Sequence, residues 1–190
     1  MKKWYKDIEI KLKGELQAKV NQQQKLTIDE QALYQRLNCA KHPTVEIAGH
    51  IFYVNYHLQK LEPSGDFMSS GIRFADLDDF HNDEMNRYEI PYDSNRRCIA
   101  EIDLDCFFEI PEGVFVVVIP YPSVMDRVGY ARSFGTLYEN ILKEIPQKSH
   151  FKVEVLHGKD SYLEEFVKMN RKAEGLPPLV VKKKCKGLNR

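Results

Sequence analysis

Three carboxylates at alternate positions form the stretch of this chain best suited to chemistry. Glu101, Asp103 and Asp105 would share one face of an extended strand, because successive side chains in a strand point to opposite faces. Two carboxylates separated by one residue are the minimum that can hold Mg²⁺ or Mn²⁺ beside a phosphate. The spacing therefore suits either a divalent-metal site or an ordinary strand with one polar face.

The ordinary strand is the favoured interpretation, because alternating carboxylates occur on strands far more often than metal sites do. A turn at residues 111–113 would make 98–110 and 114–120 an antiparallel hairpin. That register places apolar and aromatic side chains opposite Asp103 and Asp105, so part of the acidic face would be covered. We expect an Arg or Lys from a packed helix to neutralise them, with a metal ion as the alternative.

A second acidic stretch lies upstream, and it can act as a contact surface. We call it the acidic segment, and its members are Asp76, Asp78, Asp79, Asp83 and Glu84. A calcium-binding EF-hand loop beginning at its first residue would need Gly at the sixth position and Glu at the twelfth. His81 and Arg87 stand at those positions, so we expect a solvated loop that meets a partner.

The four cysteines and six histidines predict neither a zinc site nor an activated nucleophile. Cys98 and Cys106 would lie about 26 Å apart on one extended strand, too far to share a metal. Cys39 falls at the C-terminal end of a predicted helix, where the helix dipole disfavours a thiolate. No phosphate-binding glycine loop or nucleophile-elbow motif occurs. We therefore expect no cofactor, with Mg²⁺ or Mn²⁺ only under the metal hypothesis.

The net charge of the chain is zero, but its charges are segregated along the sequence. Residues 61–115 contain four Arg and fourteen acidic residues, a net charge of −10. Residues 1–25 and 116–190 carry net charges of +4 and +6. Such segregation steers association with a partner of opposite charge, or with the basic ends of another copy of the chain.

A lysine cluster near the C-terminus favours nucleic acid as an alternative partner. Its members are Lys182, Lys183, Lys184 and Lys186. Such side chains can neutralise phosphates, and Trp4 and Tyr5 among the N-terminal lysines could stack on bases. The zero net charge and the acidic centre argue against this reading, and we expect a basic, frayed tail over 181–190.

Local signals predict helices and a hairpin in the first third of the chain. Apolar residues every four positions predict a helix over 4–20, although the alternation in its first half also suits a strand. A capping box at Thr27 predicts a helix over 28–39. A tight turn at 48–49 predicts a β-hairpin over 45–58. The side chains of its second strand that we expect in the core are Phe52, Val54, Tyr56 and Leu58.

Later segments add strands and two more helices. Residues 88–92 predict a strand, with Pro91 at an edge or a turn because proline has no N–H to donate. An apolar stripe predicts a helix over 137–145, and 151–156 alternates as a strand. A capping pattern at Ser161 predicts a final helix.

These elements predict an α+β fold with a mostly antiparallel sheet built from hairpins and with helices near both termini. We expect a single domain over 1–180, in the cytoplasm, with no secretory signal and no membrane span. The expected function is non-catalytic binding of a protein partner, or self-association, through the acidic surface. Two alternatives remain: a metal-dependent enzyme acting on phosphodiesters or nucleotides, and a nucleic-acid-associated accessory protein.

Overall fold

The computed structural model describes residues 4–66, 68–85, 87–134, 147–156 and 161–179, which form six α-helices and two mostly antiparallel sheets. The helices are α1 (Trp4–Asn21), α2 (Ile28–Leu37), α3 (Phe74–Leu77), α4 (Pro122–Met125), α5 (Arg127–Phe134) and α6 (Tyr162–Ala173). The strands are β1 (Thr44–Ile47), β2 (His50–Asn55), β3 (Lys60–Pro63), β4 (Ile72–Arg73), β5 (His81–Asn82), β6 (Arg87–Asp93), β7 (Cys98–Ile99), β8 (Val114–Ile119), β9 (His150–Lys152) and β10 (Glu154–Leu156). The predicted α+β class, with helices near both termini, is confirmed.

The first two helices form where the sequence predicts them, and they pack against α5. The Thr27 hydroxyl accepts a hydrogen bond from the Glu30 N–H at 3.2 Å, and the Glu30 carboxylate accepts one from the Thr27 N–H at 2.9 Å. This reciprocal capping box satisfies N–H groups that the first turn of α2 leaves unpaired. Leu16 of α1 and Leu37 of α2 are then buried against Val128 of α5 and its neighbours.

The first sheet has the order β4-β3-β2-β1-β9 and contains the predicted hairpin. Its turn residues Ala48 and Gly49 both have positive φ, 47° and 85°, as a type I′ turn requires. Phe52 and Val54 of β2 are fully buried, as predicted. Leu58 was also expected in the core but is 48% exposed, because β2 ends before it.

The second sheet has the order β10-β8-β6-β5, with β7 also paired to β6. The prediction that Pro91 marks an edge or a turn is wrong, since it lies inside β6 with Val116 of β8 opposite it. The Pro91 carbonyl accepts a hydrogen bond from the Ala100 N–H at 2.7 Å. The nitrogen and the carbonyl of Pro91 therefore both face the side of β6 that carries β5 and β7. Because that nitrogen points away from β8, the missing N–H of proline removes no hydrogen bond between β6 and β8.

One segment, residues 150–156, joins the two sheets. Its first half, β9, pairs in parallel with β1, and its second half, β10, pairs antiparallel with β8. Between them Val153 is buried, and its N–H donates to the Glu46 carbonyl at 3.1 Å. The main apolar core fills the space between the sheets, where the rings of Phe52 and Tyr92 meet edge to face at 6.1 Å.

The predicted strand over 98–110, and its hairpin with 114–120, are wrong. Only β7 is extended, a 3₁₀ turn follows at Leu104–Cys106, and β8 pairs with β6 instead. The loop carbonyls that a strand partner would have used are bonded to α6. The Asn170 amide donates to the carbonyls of Leu104 and Phe107, at 2.7 and 3.0 Å, so the loop keeps its backbone hydrogen bonds without a ladder.

Two predicted features lie outside the described residues: the helix over 137–145 and the basic tail over 181–190, with the domain limit that precedes it. Among the described helices, none combines the length and apolar character needed to cross a membrane.

Candidate functional site

Glu101, Asp103 and Asp105 are exposed in the loop between β7 and β8 and share no strand face. The Asp103 carboxylate turns back to accept a hydrogen bond from the Asp105 N–H at 3.1 Å, which caps the 3₁₀ turn. Within the described ranges, no group of three or more His, Cys, Asp or Glu side chains is placed to hold a metal ion. The strand geometry that motivated a Mg²⁺ or Mn²⁺ site is therefore absent.

The acidic segment spans α3, the 3₁₀ turn after it and the loop that follows β5, next to the free edge of the second sheet. Asp76 is paired with Arg73, with Nη2 and Oδ1 2.7 Å apart. Asp83 Oδ1 lies 2.7 Å from His81 Nδ1. The other three members are exposed. The structure thus keeps these carboxylates at or near the surface, but the predicted loop is wrong over 76–82, which forms the end of α3, a 3₁₀ turn and β5.

A cavity of about 420 Å³ opens beside the acidic segment, a volume within the usual range for ligand pockets. We call it the aromatic pocket, because its walls include six aromatic side chains: Tyr56, Phe74, Tyr88, Tyr121, Tyr130 and Phe134. Asp78 also lines it and connects it to the acidic segment. Of the described lining residues, Asp78 alone carries a charge.

Separate elements bring these rings together. Tyr56 directly follows β2 of the first sheet, whereas Tyr88 lies near the start of β6 in the second sheet. Tyr121 lies where Pro122 opens α4, and Tyr130 belongs to α5. The pocket therefore forms at one end of the space between the sheets, where both sheets and two helices contribute a wall.

Two ring pairs of the pocket meet at steep angles, whereas Tyr130 and Phe134 meet at 38°. Tyr56 and Tyr130 are 6.2 Å apart with an interplanar angle of 78°, and Tyr88 and Tyr121 are 4.9 Å apart at 76°. Tyr56 also contacts Phe74, at 5.0 Å and 58°. Such edge-to-face and tilted contacts are favourable because the positive edge of one ring meets the negative face of another.

Two hydroxyl groups of the pocket differ in their partners. The Tyr88 hydroxyl donates to Asp78 Oδ1 at 3.1 Å, and burial together with this hydrogen bond raises the pKa of Tyr88 to about 12. The Tyr56 hydroxyl is buried, in a residue that is only 5% exposed, and it has no hydrogen-bond partner among the described residues. Burial, and then the nearby Asp126 carboxylate, raises the pKa of Tyr56 above its ordinary value. A buried hydroxyl without a partner is uncommon and calls for an explanation.

His81 links the acidic segment to the aromatic pocket. Its Nδ1 faces the Asp83 carboxylate, its Nε2 is hydrogen-bonded to the Tyr121 hydroxyl, and its ring meets Tyr88 edge to face at 5.5 Å. A carboxylate, an imidazole and a phenol thus follow one another along the edge of the pocket. The chain of contacts fixes the orientation of the Tyr121 ring.

A buried ion pair holds α5 beneath the pocket. Arg36 of α2 contacts both carboxylate oxygens of Asp126, with Nε–Oδ1 at 3.0 Å and Nη2–Oδ2 at 2.9 Å. The same carboxylate accepts the Gly129 N–H at 3.0 Å and so caps α5. A Cβ atom at Gly129 would overlap Asp126 and the Tyr56 ring, so only glycine permits this close approach.

None of the described cysteines lines the aromatic pocket, and the predicted lysine site cannot be compared with it. Lys182, Lys183, Lys184 and Lys186 lie outside the described residues, so nucleic-acid binding through them stays a prediction. Cys39, Cys98 and Cys106 are free thiols. Burial raises the pKa of Cys98, which disfavours its thiolate.

Sequence reasoning missed the aromatic pocket, because its rings come from positions as far apart as Tyr56 and Phe134. The chain has ten Tyr and ten Phe, but a count does not indicate which rings meet. The best available signal was Tyr121 between Pro120 and Pro122, where two prolines interrupt a strand pattern and leave an aromatic side chain at a surface turn.

No protein-family model matches the chain, and neither a curated protein nor a solved structure matches it.

Proposed function

We propose that this chain is a non-catalytic binding module that engages a basic protein partner through the acidic segment and the aromatic pocket. The observation that carries the proposal is the pocket itself. Six aromatic side chains surround the cavity, and among its described lining residues only Asp78 is charged. The other carboxylates of the acidic segment lie beside the opening of the cavity.

The charge distribution supports a basic partner. Residues 61–115 carry a net charge of −10, and Arg73 neutralises only Asp76 within the acidic segment. Exposed carboxylates such as Asp79 steer a cationic partner toward the surface, and apolar contacts in the pocket can then hold it. Aromatic side chains that are partly buried at the surface are typical of the centre of a protein interface.

The chemistry of the same groups supports binding in preference to catalysis. A cysteine or tyrosine nucleophile attacks most readily as its anion, whereas burial raises the pKa of Tyr88 to about 12 and also raises that of Cys98. The imidazole of His81 is held between the Asp83 carboxylate and the Tyr121 hydroxyl. These groups suit recognition and positioning.

Binding of a fluorescent lysine-rich peptide, followed by anisotropy, tests the proposal. We expect affinity to fall steeply between about 0.01 M and about 0.15 M salt, where the Debye length shortens from about 30 Å to about 8 Å. The test variant neutralises three members of the acidic segment: Asp76→Asn, Asp78→Asn and Asp79→Asn. It should bind at least about tenfold more weakly, a loss of about 1.4 kcal/mol.

A matched control separates a local surface from net charge alone. The control variant carries Glu101→Gln, Asp103→Asn and Asp105→Asn, which change the charge equally in another exposed acidic loop. It should bind within about twofold of the unaltered protein. Equal weakening by both variants, or binding insensitive to salt, would overturn the proposal.

The basic end of another copy is a specific case of the same proposal. A synthetic peptide of residues 180–190 should compete with the lysine-rich probe if the chain binds its own tail in another copy. Competition together with concentration-dependent sedimentation of the protein would identify self-association. Competition without self-association would indicate that the tail only mimics a separate basic partner.

A further inference from the structure

We infer that the aromatic pocket binds a quaternary ammonium group, the trimethylated side chain of a lysine on the basic partner. This inference rests on the proposed function, because it names the group that the partner inserts. It depends on two observations: the charge of the pocket walls and the angles between the rings.

The walls of the pocket favour a cation. The face of an aromatic ring carries negative potential, and a cation close to it is attracted most strongly when both are shielded from water. Asp78 adds a carboxylate at the edge, and none of the described lining residues is a Lys or Arg. A cationic group that enters the pocket therefore meets only neutral or negative side chains among the described lining residues.

The ring angles favour a rounded cation over a planar one. A guanidinium group stacks best on one face or between parallel faces. Here the Tyr56–Tyr130 and Tyr88–Tyr121 pairs are inclined at 78° and 76°, so a planar group cannot lie along both members of either pair. A trimethylammonium group is nearly spherical and can contact several inclined rings at once.

Hydration separates trimethyl-lysine from unmodified lysine. An unmodified ammonium is a compact, strongly hydrated charge with three N–H donors. Among the described lining residues, Asp78 is the one carboxylate, and one of its oxygens already accepts the Tyr88 hydroxyl, while Gln59 and Ser123 offer only neutral acceptors. A quaternary ammonium has no N–H to satisfy, and its weaker hydration makes transfer into an aromatic site less costly.

Three peptides, identical except at one central position, test the inference by calorimetry. The position carries lysine, trimethyl-lysine or arginine in an otherwise lysine-containing sequence. We expect the trimethyl-lysine peptide to bind at least about tenfold more tightly than the other two, the change expected for a desolvated cation–π contact. Tetramethylammonium chloride should remove this preference, with little effect on the unmodified peptide.

Substitutions should locate the preference in the pocket. Tyr130→Leu and Asp78→Asn should each reduce the preference to about threefold or less, while Tyr53→Leu, an exposed tyrosine on β2 away from the pocket, should leave it unchanged.

The outcomes separate this inference from the function on which it rests. Equal affinity for the lysine and trimethyl-lysine peptides, still lost with the acidic triple variant, would overturn the inference and leave the proposed function intact. Failure of every peptide to bind would overturn both. Binding of tetramethylammonium with no peptide preference would indicate a free small-molecule ligand and would overturn the assignment to a lysine side chain.

Discussion

The ion pair between Arg36 and Asp126 provides the sharpest test of how the fold is held together. Its side chains are 7% and 0% exposed, and three hydrogen bonds join them. Arg36→Met removes the positive partner and keeps an unbranched apolar chain. Asp126→Asn removes the negative charge but keeps an oxygen that can accept the Gly129 N–H and cap α5.

Removing one partner of a buried pair leaves an uncompensated charge in a medium that solvates it poorly. Each single substitution should therefore lower the free energy of unfolding by about 3–5 kcal/mol. Replacing both charges leaves no buried charge, so the Arg36→Met/Asp126→Asn double variant should lie within about 2 kcal/mol of the unaltered protein. The coupling energy between the two sites should then exceed about 3 kcal/mol, at the upper end of the range for contacting residues.

Urea unfolding followed by circular dichroism measures these differences. The exposed pair Arg73–Asp76, whose side chains are 72% and 36% exposed, is a matched control, and its removal should cost under about 1 kcal/mol. If the single variants of Arg36 and Asp126 cost no more than this control, the pair contributes nothing by burial. If the double variant loses the sum of the single losses, the two charges are not coupled, and the reasoning is refuted.

Three further predictions concern single sites. Gly71→Ala should lower the free energy of unfolding in urea by about 2 kcal/mol or more, because a Cβ atom at φ 72° would overlap the Leu61 carbonyl oxygen. Gly65→Ala is the control, because Gly65 has the same φ but open space around it, and its loss should be smaller. Equal losses would mean that the overlap is relieved at no cost. Thr27→Ala removes the hydroxyl that caps α2 and should lower the unfolding free energy by about 1 kcal/mol; an unchanged urea midpoint would contradict this role. Since the pKa of Tyr88 is raised to about 12, the contribution of its protonated hydroxyl to stability is complete below about pH 10 and is lost as the pH rises toward 12. The fall in the urea midpoint above pH 10 should therefore be smaller in Tyr88→Phe than in the unaltered protein. An identical fall in both proteins would contradict this prediction.

Sequence reasoning succeeded where the structure depends on neighbouring residues. The capping box at Thr27 and the turn at Ala48 and Gly49 were both predicted, because each satisfies its geometry within four residues. It failed for 98–110, where alternation suggested a strand. There the amide of Asn170, more than sixty residues away, donates hydrogen bonds to the loop carbonyls of Leu104 and Phe107. No local sequence pattern predicts that contact.

The same limit applies to the candidate site. The acidic segment could be predicted because five carboxylates fall within nine consecutive residues, and four of the five are exposed. The aromatic pocket could not, because its walls require that β2, β6 and α5 meet. The pairing of β6 with β8 was missed, since Pro91 was expected at an edge, and without that pairing Tyr88 cannot be placed beside Tyr121.

The segment that joins the two sheets also determines when folding can be completed. Residues 150–156 cover the outer side of β1 in one sheet and of β8 in the other. Synthesis proceeds from the N-terminus, so β1 and β8 are made before residues 150–156. Until those residues are made, this edge of β8 stays unpaired, and the strand is apolar, with the sequence Val-Phe-Val-Val-Val-Ile. Such edges are where chains associate wrongly. The pairing of residues 150–156 with β8 therefore also protects the newly made protein from aggregation.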